Sequence, residues 1–378
     1  MFTKRTKKAL IKGILTKRSP IYVQYAVTKN CNLRCNMCAS SLSRKEEDEL
    51  TLPEIEKLAD VLDKLNIGII LLTGGEPFIR NDISEIIRIF ARKGFTVRLQ
   101  TNGILATEEK IKEAYRAGME EVTISLDTLD ADKQDAITGQ KGSWHKIIQS
   151  IARFSQILPQ KGTLLGINTV VSKKNIGEIR DIIRFVTEIG FYSSLIPVHL
   201  NTSDKDDFII RKKAPEFKFS LDSFDEIERS YKEIIDMKRK GYNIYNSYKF
   251  LRNTPAFLKG ERVKWHCDSP YLYFAISPSG NFLPCVDIKT SISMLEEGFV
   301  GLYNSKEFRS SMEEKVKNCA GCFYACWPEM TFLCRDIPVL AERLILAIRL
   351  SVKKRAPVTF ERCLEIIKDI KNKAEIHV

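Results

Sequence analysis

From residue 21 to about residue 200, short apolar runs rich in β-branched residues alternate with amphipathic stretches, and this rhythm restricts the fold more than any other feature. Six runs read as strands, at 21–28, 68–73, 96–100, 121–125, 163–171 and 193–198, with helical patterns near 52–65, 81–94, 107–117, 143–156 and 175–189 between them. Strands separated by helices are joined by crossovers, which makes the sheet parallel and covers it with helices. No glycine-rich dinucleotide fingerprint opens the first unit. The expected fold is therefore α/β, a partial (β/α)6 barrel of TIM type with its chemistry at the carboxyl ends of the strands.

Further boundaries follow from changes in pattern. Residues 1–20 form a basic segment and 21–200 the barrel core. A helical connection, 201–264, opens with the polar run containing Asn201, Thr202, Ser203, Asp204 and Asp206. Residues 265–335 carry a hairpin pattern, 271–276 and 282–284 around Ser277-Pro278-Ser279-Gly280, followed by a cysteine-rich loop, and read as a small α+β domain. Residues 336–378 read as amphipathic helices. There is no internal repeat and no low-complexity segment.

Sixty Lys and Arg against 48 Asp and Glu give a net charge of +12, yet no nucleic-acid motif accompanies it, so no nucleic-acid partner is expected. No run approaches the roughly 18 apolar residues of a membrane span, and the start through Arg18 lacks the apolar centre of a signal peptide. The expected location is cytoplasmic. Residues 336–355 hold an apolar stripe interrupted by Glu342, Arg343 and Arg349. A helix packed on the barrel with its charges in water is the expectation, and a helix lying on a membrane surface beside the basic N-terminal segment is the alternative.

Ten cysteines exceed what packing needs, and disulfides are unusual in a reducing compartment. They fall into two groups. Cys31, Cys35 and Cys38 follow the first strand directly as C-x3-C-x2-C, so one loop carries three thiolates and leaves a fourth metal position open. Structural zinc wants four protein ligands, whereas an iron–sulfur cube with three leaves one iron free to bind a ligand. The four histidines, 145, 199, 266 and 377, are too scattered for a histidine site. His199 reads as a packed or capping ring.

With Thr73-Gly74-Gly75-Glu76-Pro77 at the end of the second strand, the chain resembles the radical S-adenosylmethionine (SAM) superfamily over about residues 21–200. Met37 stands where many relatives carry an aromatic residue. The resemblance implies a 4Fe-4S cluster on Cys31, Cys35 and Cys38, with SAM bound by Gly74, Gly75, Glu76 and Pro77 and by Asn102, Ser125, Asp127 and Asn168 at later strand ends. Paired glycines would let backbone approach the ligand, and Glu76 would pair with its ammonium. It further implies reductive cleavage of SAM to a 5′-deoxyadenosyl radical, an unidentified organic substrate (small molecule, lipid precursor or peptide), and a one-electron reductant such as flavodoxin or ferredoxin.

In the second group, Cys267, Gly280 and Cys285 follow C-x12-G-x4-C, which resembles the opening of the SPASM and twitch auxiliary-cluster extensions. Cys319, Cys322, Cys326 and Cys334 follow with spacings that depart from the full SPASM pattern. This implies one auxiliary 4Fe-4S cluster, with enough cysteines for a second, and leaves the ligand assignment open. Cys363 lies in a helical pattern and reads as a buried thiol. A zinc-stabilised binding protein on the same barrel is the alternative from another class. A peptide maturase with a separate recognition partner is the alternative substrate class, since only 30 residues precede Cys31. The absence of a terminal Gly-Arg-Arg disfavours the molybdopterin pathway.

Overall fold

The structure, a computed structural model, describes residues 2–38, 49–200, 213–319 and 321–375. The polar run 201–206 and His377 lie outside the described residues. Six parallel strands alternate with helices: β1 (Tyr22–Thr28), α2 (Leu52–Lys64), β2 (Ile69–Gly74), α3 (Ile83–Arg92), β3 (Thr96–Thr101), α4 (Glu108–Ala117), β4 (Met119–Ser125), α5 (Ala131–Thr138), α6 (Ser143–Ile157), β5 (Leu165–Val171), α7 (Ile179–Glu188) and β6 (Tyr192–Pro197). A first helix, α1 (Lys4–Thr16), precedes them. Local signals start and stop these helices. Thr51 N donates to the Glu54 carboxylate at the head of α2, Thr107 Oγ1 accepts from Lys110 N at the head of α4, and Gly118 ends α4 at φ 112°.

The C-terminal part comprises α8 (Phe224–Arg239), α9 (Tyr248–Leu258), β7 (Tyr273–Ile276), β8 (Phe282–Leu283), α10 (Phe299–Asn304), α11 (Lys306–Lys317), α12 (Cys326–Arg335), α13 (Ile337–Val352) and α14 (Phe360–Glu375). The hairpin read from the sequence forms, β7 against β8 antiparallel, but it does not make a sheet of its own. β7 pairs in parallel with β1, giving one eight-stranded sheet in the order β6-β5-β4-β3-β2-β1-β7-β8. Nothing in the spacing of the hairpin announces this partner, because strand pairing across about 250 residues is decided by burial and not by local pattern.

Successive strand residues point to opposite faces. Val23, Tyr25, Ile70, Leu72, Val97, Leu99, Val122, Ile124 and Ile167 face the helices and lie in the main core. The other, concave face changes character along the sheet. On β1, β2, β7 and β8 it is apolar, with Tyr22, Ile69, Leu71, Tyr273, Ala275 and Leu283 buried under Tyr324, Trp327 and Met330 from α12 and the turn before it. On β3 to β5 it carries Arg98, Gln100, Glu121, Thr123, Ser125 and Asn168. A parallel sheet packed on both faces reads as apolar throughout, and this stretch of the concave face departs from that pattern.

Candidate cofactor and cluster sites

Cys31, Cys35 and Cys38 sit on the loop leaving the carboxyl end of β1, as read from the sequence. Burial raises the pKa of the Cys31 thiol against the pull of Leu33 N–H, which donates to its sulfur at 3.4 Å, and the nearby Glu76 and Cys38 raise it further. Cys35 is pushed far above the ordinary thiol range by burial, then by Cys38, Asp127 and Cys31. The three thiols therefore form one electrostatic neighbourhood. Soft thiols converging on one loop are the donor set iron–sulfur clusters take, so these residues fit such a group.

The Gly74–Gly75 turn abuts this loop. A Cβ on Gly75 would lie 2.1 Å from Asn30 O, and one on Gly74 2.2 Å from Thr28 O. Gly75 N donates to Thr28 O at 2.9 Å and Glu76 N to Asn30 O at 2.8 Å. The close approach that requires these glycines in the structure is to the cysteine loop itself.

Glu76 is 0 % exposed, and its carboxylate accepts from Thr101 Oγ1 at 2.7 Å, Asn102 N at 2.7 Å and Phe78 N at 3.1 Å. Burial raises its pKa while those three donors lower it. Its oxygens turn inward and tie β2 to β3. Pro77 opens a single 3-10 turn, 77–79, that is buried beneath the site.

Asn102 is the piece the brace holds. Its Nδ2 donates to Asn32 Oδ1 at 2.9 Å and approaches Cys31 Sγ at 3.8 Å, and its Oδ1 accepts from Ile104 N at 3.0 Å. Ser125 and Asn168 are register partners on the polar face, with Asn168 Nδ2 donating to Thr123 Oγ1 at 3.3 Å. Asp127 accepts from Val170 N at 2.8 Å, and burial raises its pKa to about 6. Met37 packs against Ile137, Ala214 and Phe217, fastening the cysteine loop to the far side of the barrel mouth.

In the second group, burial pushes the Cys267 thiol up to about 11, with Cys319 among the neighbours raising it. Cys285 is pushed far up by burial, then Asp287, Cys267 and Cys319, and Cys322 by burial, Cys285 and Cys267. Cys285 and Cys322 thus both feel Cys267, and Cys319 acts on Cys267 and Cys285. Cys326 and Cys334, each raised to about 12 chiefly by burial, feel Asp287 and Asp268 instead. Cys363 is wholly buried in the main core on α14. No disulfide forms among the described residues, and among them no three metal-ligating side chains stand close enough to hold a single ion. Tetrahedral zinc needs its sulfurs all about 2.3 Å from one point, whereas cluster thiolates are shared among several irons.

Two features had no clear sequence signal. His199 joins the two parts of the chain: its Nδ1 contacts Pro197 O at 2.7 Å, its Nε2 accepts from Phe323 N at 2.9 Å, and its ring stacks on Tyr324 with centroids 3.7 Å apart. This agrees with a packed ring, but the partner lies 124 residues on, beside Cys322. Arg98 and Glu121 form an ion pair on the concave face, which alternation in β3 and β4 reveals only once their pairing register is known.

A parallel barrel with three thiols at the mouth of its first strand and a glycine turn on its second defines a class. Residues 25–186 match the Radical SAM superfamily. The chain is 32% identical over 178 residues to the AdoMet-dependent heme synthase of Methanosarcina barkeri, covering 47% of this chain and 50% of that protein. It is 36% identical over 206 residues to the probable GTP 3′,8-cyclase of Pyrococcus horikoshii, covering 52% of this chain and 64% of that protein. The chain thus spans between half and two thirds of these curated relatives. Among solved structures, SuiB of Streptococcus suis bound to S-adenosylmethionine shares the fold at a TM-score of 0.62 and 16% identity, covering 88% of this chain and 79% of that one. The family implies a 4Fe-4S cluster and SAM.

Proposed function

We propose that this chain is a radical SAM enzyme acting on an organic substrate, with one auxiliary 4Fe-4S cluster. The observation that carries the reading is the convergence of Cys31, Cys35 and Cys38 on one loop locked against the Gly74–Gly75 turn. Cys31, Cys35 and Cys38 would hold a 4Fe-4S cluster that, with SAM and an electron from a protein such as flavodoxin or ferredoxin, would supply the radical chemistry of reductive SAM cleavage and hydrogen abstraction.

The chain's own contribution is orientation and the exclusion of water. Glu76 fixes the main chain of Asn102, whose side chain braces Asn32 beside Cys31. Ser125, Asp127 and Asn168 present polar groups at the carboxyl ends of the next strands, where they would hold the ribose and carboxylate of SAM. Arg98, Gln100, Glu121 and Thr123 give the interior donors and acceptors suited to a polar substrate. Trp327 and Met330 close the apolar side of the same face. The grouping of Cys267, Cys285, Cys319 and Cys322 supports four ligands for the auxiliary cluster, leaving Cys326 and Cys334 at its border.

Iron and sulfide content after anaerobic reconstitution tests this. The expected result is about eight irons per chain, falling to about four when Cys31, Cys35 and Cys38 are all replaced by Ala. A colourless protein loaded with zinc would overturn the enzyme reading. About four irons falling to none would remove the auxiliary cluster alone.

A further inference from the structure

α13 is amphipathic in the reverse sense from a helix packed on a soluble core. Its charged residues turn inward: Arg343 pairs with Glu329 at 2.7 Å, and Glu342 with Lys238 at 3.0 Å, with all four side chains less than a fifth exposed. The two carboxylates also accept from Ser247 N and Tyr248 N, so the inward orientation is fixed by a polar network. The apolar residues face out. Ile337 is 81% exposed, Leu344 58%, Ile345 52%, Ile348 61% and Val352 69%, one stripe at helical spacing. The expectation that this helix packs its apolar stripe on the barrel is overturned, because the ion pairs occupy the inward face.

A second such surface lies on α1, where Ile11 and Leu15 are 60% and 76% exposed. Both helices sit at the amino-terminal ends of the strands, opposite the cysteine loop. Thr6 Oγ1 of α1 donates to Gly68 O, just before β2, at 2.6 Å, while Gly162 N, just before β5, donates to Leu350 O of α13 at 2.8 Å. Basic residues rim both stripes: Lys4, Lys8 and Lys12 on α1, which has no acidic residue, and Arg349, Lys353 and Lys354 on and after α13, all exposed.

We infer that this end of the barrel docks on an anionic lipid surface, α13 lying in the interface with its apolar stripe among the acyl chains. Charge complementarity selects this occupant, since exposed apolar residues rimmed by Lys and Arg match the boundary between anionic headgroups and hydrocarbon. A second copy docked face to face would set the basic rim against its own image. The contact is peripheral, because among the described residues no helix is long and apolar enough to cross a membrane.

The test is co-sedimentation of the reconstituted full chain with phosphatidylcholine vesicles, with and without phosphatidylglycerol. Binding is expected only with phosphatidylglycerol, and it weakens as salt is raised. The triple variant Leu344→Gln, Ile345→Gln, Ile348→Gln lowers partitioning at least about tenfold. Lys353→Gln and Lys354→Gln each lower it about fivefold. All five side chains are exposed, so circular dichroism and thermal unfolding should match the parent, and none lies at either thiol group, so iron content is unaffected. Failure of the parent to bind, binding of the triple variant at parental strength, or equal binding to pure phosphatidylcholine would each overturn the proposal. So would a dimer, seen by sedimentation velocity, that the triple variant dissolves.

Discussion

Replacing Glu76 by Ala removes the acceptor of two buried donors, Thr101 Oγ1 and Phe78 N, and of the half-buried Asn102 N. The hydroxyl can rotate to another partner, but the two backbone N–H groups cannot. Each orphaned donor costs about 1–3 kcal/mol. Relief of the buried carboxylate's desolvation offsets part of this, and the net loss expected is about 3 kcal/mol, a large fraction of the 5–15 kcal/mol that holds a typical domain. Urea unfolding of the metal-free protein, compared at unchanged slope, reads it as a lower midpoint. Glu76→Gln keeps the shape and one acceptor oxygen and should lose less. Because burial raises the folded pKa of Glu76 above its unfolded value near 4.5, the folded state holds the proton more tightly. That contribution is complete below the unfolded pKa and is lost as pH rises through the folded one, so the gap between parent and Glu76→Gln narrows with rising pH. If Glu76→Ala instead unfolded at the parental urea concentration and lost only SAM binding, the carboxylate would face the cofactor and the reasoning would fail.

Two shorter predictions concern the thiol groups. Gly75→Ala places a Cβ 2.1 Å from Asn30 O, a backbone atom that cannot swing away, so about four irons should be lost from the first site while the auxiliary iron stays; full retention in iron analysis would show that the turn can open. His199→Phe keeps the stack on Tyr324 but leaves Phe323 N–H without its acceptor, a cost of about 1–3 kcal/mol localised beside Cys322. Its auxiliary iron should be stripped by a chelator faster than the parent's, and an unchanged rate would mean that the ring does not position the loop.

Much of the fold was legible because its determinants are local. The alternation of β-branched runs and helical periods placed all six strands to within a residue or two at most ends, and the 81–94 pattern became Ile83–Arg92. α5 escaped notice because its eight residues carry little amphipathic pattern; Asp130, which accepts from Lys133 N, and Gly139 at φ 69° were its available signals. Spacing alone also grouped the cysteines into an early three and a later set. It could not say how Glu76 points, since carboxylates that bind a ligand and carboxylates that bind backbone look alike in sequence.

The sequence by itself determined the alternating parallel architecture, the placement of three thiols and a glycine turn at adjacent strand ends, and the family that residues 25–186 match. These rest on periodicity and short-range spacing, which need no knowledge of distant partners. Tertiary structure alone decided that β7 joins the barrel sheet beside β1, that His199 meets the Cys322 loop, and that Glu342 and Arg343 turn α13 inside out. Each joins residues that are far apart in the chain or chooses between two faces of one helix. That choice is made by which buried charges find partners, and no single segment contains the answer.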